Sequence, residues 1–171
     1  ASEVGGFDRA VEKGILWARD LVKMASRVRR EKAPLCKLRV GVKCGDSDYT
    51  SGLAGNRVIG KLFDLMVTAG GTAIFSETTE LIGAEHLVAK RAVTPQVAAR
   101  ILEFVRKAEE SARLAGEDIR KVNPIPENVI GGISTLEEKS LGALAKTGTM
   151  PVAGCLDYCE WPPGQGLYFM H

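Results

Sequence analysis

The chain has 171 residues, with 23 Lys and Arg against 21 Asp and Glu for a formal charge of +2. That balance, with 45% hydrophobic and 26% charged residues, excludes a disordered or fibrous chain and gives no basis for binding a polyanion such as nucleic acid. The longest stretch without a charge, Leu65 to Ser76, contains two glycines and is too short to cross a bilayer. No cleavable apolar segment opens the chain, so the expectation is a cytoplasmic protein without a membrane partner. The length suits a single domain over 1–171 that buries its own core. The four cysteines, Cys36, Cys44, Cys155 and Cys159, form no C-x-x-C pair, which argues against a disulfide scaffold or a zinc ribbon.

In chain order, Phe7, Val11, Ile15, Ala18, Val22, Ala25 and Val28 recur at three- and four-residue spacing and predict an amphipathic helix over 4–30, stopped by Pro34. An α/β core follows over 37–171. LRVGVK (38–43) reads as a short strand and runs into CGDSDYTSGLAGN, a Gly/Ser/Asp loop. Ile59, Leu62, Phe63 and Met66 mark a helix ended by Gly70-Gly71, and TAIFS (72–76) a buried strand. A helix through His86 to about Arg91 comes next. Thr94-Pro95 predicts an N-cap with proline in the first turn of a long helix closing at Gly116. NPIPENVIGG (123–132) reads as a loop, and Ser134-x-x-Glu137 as a capping box opening a helix to about Lys146. PVAGCLDY and GLYFM supply two further strands. Strands alternating with helices predict a three-layer α/β/α fold around a mostly parallel sheet.

Such a sheet binds ligands beyond the carboxyl ends of its strands. Cys44, Glu77 and Tyr158-Cys159 follow three strands and should share that rim with the first turns at Asn56, Glu80 and Thr135. Lys146 is expected about 16 Å away, at the far end of its helix, neutralising the helix C-terminus. The 44–52 loop is neither a P-loop nor a dinucleotide fingerprint, for it lacks Gly-Lys-Ser/Thr and G-x-G-x-x-G. It also fails as an EF-hand, with Ser51 where glycine belongs. A tight turn capped by an Asp side chain remains the plain alternative to a ligand cradle. Cys44, Glu77 and Glu80 offer a thiolate and two carboxylates for a divalent transition metal. His86 and Lys139 are the candidates for proton transfer, with Lys139 alternatively an ion-pair partner of Glu85 or of a substrate carboxylate.

Three motifs go further. GVKCGDSDYTSGLAGN, DLMVTAGGTAIFSETTELIGAEHL and the PEN…GG…TLEEKSLGALAKTG run stand in this order between Leu38 and His171. Together they resemble the carboxyl-terminal catalytic region of the altronate and galactarate dehydratase family. The resemblance implies part of a longer metal-dependent hydro-lyase, with Fe(II) expected and Mn(II) or Mg(II) as alternatives. Its substrate would be a small sugar acid, converted to a 2-keto-3-deoxy acid. By motif position Cys44, Ser47, Asp48, Ser51, Asn56, Glu77, Glu80, Asn128, Glu138 and Lys139 carry the family pattern. The roles expected of them and of His86 are Cys44, Glu77 and Glu80 at the metal, Lys139 or His86 in proton transfer, and Ser47, Asp48, Ser51, Asn56 and Asn128 at the substrate. Glu127, where the galactarate branch tends to have glycine, and His86 place the chain nearer the altronate branch. Sulfolactate sulfo-lyases share the motifs, so sulfite is the alternative leaving group; a non-catalytic acid-binding module is the other alternative. Partners implied are the remaining domains of the full-length enzyme or a second subunit, and a homodimer.

Overall fold

A computed structural model describes residues 5–171, in two compact units whose boundary falls between Ala33 and Pro34. The first contains α1 (Phe7–Ala25), shorter at both ends than expected. Its apolar stripe is present as the periodicity requires, but the helix buries none of its residues.

The second unit is an α/β fold around a four-stranded sheet, β1 (Arg39–Val42), β2 (Thr72–Phe75), β3 (Val152–Leu156) and β4 (Gly166–Met170). The order is β1-β2-β4-β3, and every neighbouring pair is parallel. Between the strands run α2 (Asn56–Thr68), α3 (Glu85–Ala89), α4 (Pro95–Leu114), α5 (Ile119–Val122), α6 (Pro126–Ile130) and α7 (Leu136–Leu144). Helix α2 packs against β2 and β4, and α4 against β3, as an α/β/α arrangement requires. The inner strands are apolar along their length because both faces are covered: Ala73, Phe75, Leu167 and Phe169 have no exposed surface. Phe75 and Phe169 stack with centroids 5.3 Å apart, and Phe104 of α4 meets Phe169 edge-on at 5.9 Å. Thr94 caps α4 through Val97 N–H, with Pro95 in the first turn.

Three local expectations are corrected. Part of the 123–132 loop forms α6, with Pro126 in its first turn. The N-cap of α7 is Thr135 rather than Ser134: its side chain accepts from Glu138 N–H, while the Glu138 carboxylate accepts from Ser134 N–H at 2.8 Å. Helix α7 ends at Leu144 in a 3₁₀ turn over Ala145–Thr147, so it does not carry Lys146 away from the rim. Instead α7 packs along the turn Thr78–Leu81 that follows β2.

Candidate active site

All four strands point the same way, so their carboxyl ends open on one edge. Lys43-Cys44 follows β1 there, Ser76-Glu77 follows β2 and His171 follows β4. Glu77 turns the chain sharply with φ 73°, a conformation that costs a non-glycine residue on the order of 1–3 kcal/mol and needs its surroundings to hold it. Its carboxylate accepts the Cys44 N–H at 2.6 Å on Oε2 and faces Lys43 Nζ at 3.1 Å on Oε1. The next turn buries Glu80. One ligand atom from each of Cys44, Glu77 and Glu80 lies within 4.8 Å of the others. Burial pushes the Cys44 thiol above its ordinary value; the Ser47 hydroxyl, 3.0 Å from its sulfur, pulls it partly back.

Lys146, expected a helix length away, stands at the rim beside Glu77 and Glu80. Its side chain is 6% exposed, with Nζ 2.8 Å from Glu80 Oε2 and 3.7 Å from Glu77 Oε2. A helix projected straight through Lys146 put it one helix length off; the break after Leu144 folds it back. The usable signal was the Lys-Thr-Gly triplet, since Gly148 has φ 64° and ends the helical turn.

Beside this cluster lies a pocket of about 350 Å³, lined among others by Ser47, Asp48, Ser51, Asn56, Arg57 and Lys139. Ser47 lines the pocket and touches the cluster through the Cys44 sulfur. The Asp48 carboxylate accepts from Thr50 N–H, Thr50 Oγ1 and Ser51 N–H. The Thr50 hydroxyl chiefly holds its carboxyl below the usual range. Asp48 is therefore the Asp cap of its own turn. Asn128 is 1% exposed and accepts from Ile125 N–H and Lys139 Nζ while donating to Asp46 Oδ1 and Ser47 O. With both amide ends engaged by protein, it straps the 44–51 loop to α6 and α7. Asn56 donates to Gly142 O at 2.9 Å, joining α2 to α7.

Lys139 donates to Asn123 Oδ1 and Asn128 Oδ1, each at 3.0 Å, and not to Glu85. Two neutral acceptors hold an ammonium without cancelling its charge, leaving it able to meet an anion. Arg57, a lining cation that the sequence reading passed over, is anchored by Nε on Gly52 O. His86 is exposed on α3 and does not line this pocket. At the rim, His171 Nδ1 lies 2.8 Å from Thr78 Oγ1, and its ring stacks on Phe104.

A thiol, two acidic groups and a buried lysine gather at the carboxyl edge of a parallel sheet, where α/β proteins bind their ligands, next to a pocket lined by two cations. Residues 35–171 match the family described as D-galactarate/Altronate dehydratase, C-terminal, and the chain belongs to that family. It is 41% identical over 170 residues to the (2R)-sulfolactate sulfo-lyase subunit beta of Chromohalobacter salexigens, covering 98% of this chain and 44% of that protein. It is 34% identical to the altronate dehydratase of Bacillus subtilis, covering 92% of this chain and 31% of the relative. Identity to the galactarate dehydratase (L-threo-forming) of Escherichia coli is 35%, over 96% of this chain and 31% of that enzyme. The chain thus spans 31–44% of the length of these curated relatives, one named a sulfo-lyase subunit and two named dehydratases.

Proposed function

We propose that this chain is the catalytic part of a lyase that eliminates a β-substituent from a small 2-hydroxy carboxylate. The convergence of Cys44, Glu77 and Glu80 on one point beside the Ser47–Lys139 pocket carries the reading. In a 2,3-dihydroxy acid the C2–H bond breaks, its proton passing to pocket water that returns it to Lys139 for the next turnover, while its electron pair forms C2=C3 and the C3–O bond breaks. The oxygen leaves as water after taking a proton, and the enol becomes a 2-keto-3-deoxy acid. Lys139 serves as the acid: its ammonium, held by two amide oxygens, meets the leaving oxygen or the adjacent carboxylate. Ser47, Ser51 and Asn56 bind substrate hydroxyls, and Arg57 pairs with the substrate's anionic end. Asn128 and Asp48 position Lys139 and the loop.

The donor set fits a divalent metal. One thiol and two carboxylates leave coordination positions open for substrate, as in catalytic sites, and the thiol favours iron or zinc over magnesium. Cys44, Glu77 and Glu80 would hold the ion, Fe(II) by expectation, and it would supply Lewis acidity toward the substrate's oxygens. His86, outside the pocket lining, carries no step.

A second reading keeps the elimination and changes the leaving group: the C3–S bond breaks and sulfite departs with the electron pair. The 41% identity to a sulfolactate sulfo-lyase subunit over nearly the whole chain favours it. Assaying the full-length, iron-replete protein on altronate, galactarate and sulfolactate under reducing conditions separates the two. In the same protein Glu77→Gln or Cys44→Ala should lower kcat/KM by at least about a hundredfold. A loss of under about tenfold, roughly 1.4 kcal/mol of barrier, would exclude the assigned site.

A further inference from the structure

Lys146 stands where an incoming cation would have to go. Its ammonium is 2.8 Å from Glu80 Oε2 and 3.7 Å from Glu77 Oε2, and its side chain is as buried as that of Glu80, each 6% exposed. The loop that carries it is clamped from two sides, by Arg91 in the turn after α3 and by Asp64 on α2. Arg91 donates to Thr147 Oγ1 at 2.7 Å and to Met150 O at 2.7 Å. Asp64 of α2 accepts from Thr149 N–H at 2.7 Å and Met150 N–H at 3.1 Å. An ammonium mounted on so fixed a turn cannot drift off as a surface lysine does. By contrast Lys43, the other cation on Glu77, is 70% exposed.

Resting on the reading of Cys44, Glu77 and Glu80 as ligands of a divalent ion, we propose that Lys146 is the resident counter-cation of that site. It competes with the ion for the two carboxylates and keeps ion binding weak and reversible. The ammonium pairs the carboxylates when no ion is bound, so the ligands are assembled in advance. When a dication arrives, the same charge repels it across a few ångströms of protein interior, where water screens little. Lys146 is thus a positioning residue that sets how tightly the site holds its metal, and the metal affinity should rise when its charge is removed.

The test is a Co(II) titration of the full-length protein, reading the thiolate-to-cobalt absorption band, with Cys44→Ser to assign that band. Lys146→Leu has no ligating atom, and Lys146→Gln keeps a hydrogen-bond donor to Glu80 without the charge. Both should bind Co(II) at least about tenfold more tightly than the parent, whereas Lys43→Gln, screened by solvent, should shift affinity less than about threefold. Should Lys146→Leu not fold, Lys146→Gln decides. Unchanged or weaker binding in the Lys146 variants overturns the proposal while leaving the metal site standing. An equal gain in Lys43→Gln also overturns it, because the effect would then be one of net charge. A gain in the Gln variant alone, with Lys146→Leu folded, overturns it as well, by showing that the new carbonyl ligates. Absence of the band from the parent and from every variant would remove the metal reading itself, and the proposal with it.

Discussion

Cysteine chemistry in this chain is decided by surroundings rather than by residue type. Cys36 and Cys159 are exposed, Cys44 and Cys155 are half-buried, and burial pushes the Cys155 thiol up to about 11. The thiolate is the nucleophile, so iodoacetamide at pH 8 followed by peptide mass spectrometry should modify Cys36 and Cys159 first and Cys155 last. Linkage gives a second consequence. The folded Cys155 holds its proton to about pH 11, against an ordinary thiol value of 9.0. The folded state therefore binds more protons between those limits, and stability present below pH 9 is lost as pH rises through 11. Cys155→Val should remove that slope, seen as a smaller drop in urea midpoint between pH 8 and 10.5 than in the parent. Single residues were also where the sequence was most legible. The rule that ligands sit beyond strand ends brought Cys44, Glu77 and Glu80 together from spacing alone. It could not tell that Asn128 and Asp48 spend their polar atoms on the protein, since that depends on which backbone groups a loop leaves bare.

Elements were legible where a period ran uninterrupted and illegible where it broke. The four strands and helices α2 and α4 stand where apolar spacing put them, while Lys146 was misplaced because a nine-residue helix gives way to a 3₁₀ turn. What fixes that turn is a close approach with no apolar signature. A Cβ built on Gly60 of α2 would lie 2.2 Å from Ala145 O and 3.0 Å from Gly148 N, all of it backbone. Nothing there can yield except the turn itself. Gly60→Ala should therefore cost about 1–3 kcal/mol in urea denaturation, the usual range for overpacking, despite alanine's better helix propensity. Because the displaced turn carries Lys146, the same variant should also perturb the Co(II)-thiolate band. Gly14, in the middle of α1 with nothing within 4 Å of its built Cβ, is the control. Gly14→Ala should leave the urea midpoint of the α/β unit unchanged.

At the scale of the molecule, the two units differ in how they are stabilised. The α/β unit holds a contiguous core running from Phe63 to Phe169, and the family match begins at residue 35, next to its start. Helix α1 has a pronounced apolar stripe, yet Phe7, Ile15, Trp17 and Val22 are all more than 60% exposed. The sequence pattern promised a face, and a face is not the same as burial: periodicity reports which side of a helix could be covered, not what covers it. Helices in proteins draw most of their stability from packing, because nucleation is costly, and every residue of the core cluster lies in the α/β unit. Removing residues 1–33 should then leave the melting of the α/β unit within a few degrees of the parent. The far-ultraviolet circular dichroism lost with that deletion should be less than a full helix contributes, and trifluoroethanol added to the parent should raise the signal. A collapse of the melting transition on deletion would show that the α/β unit draws stability from the segment. The exposed stripe would then have to be re-read as a packing surface for that core.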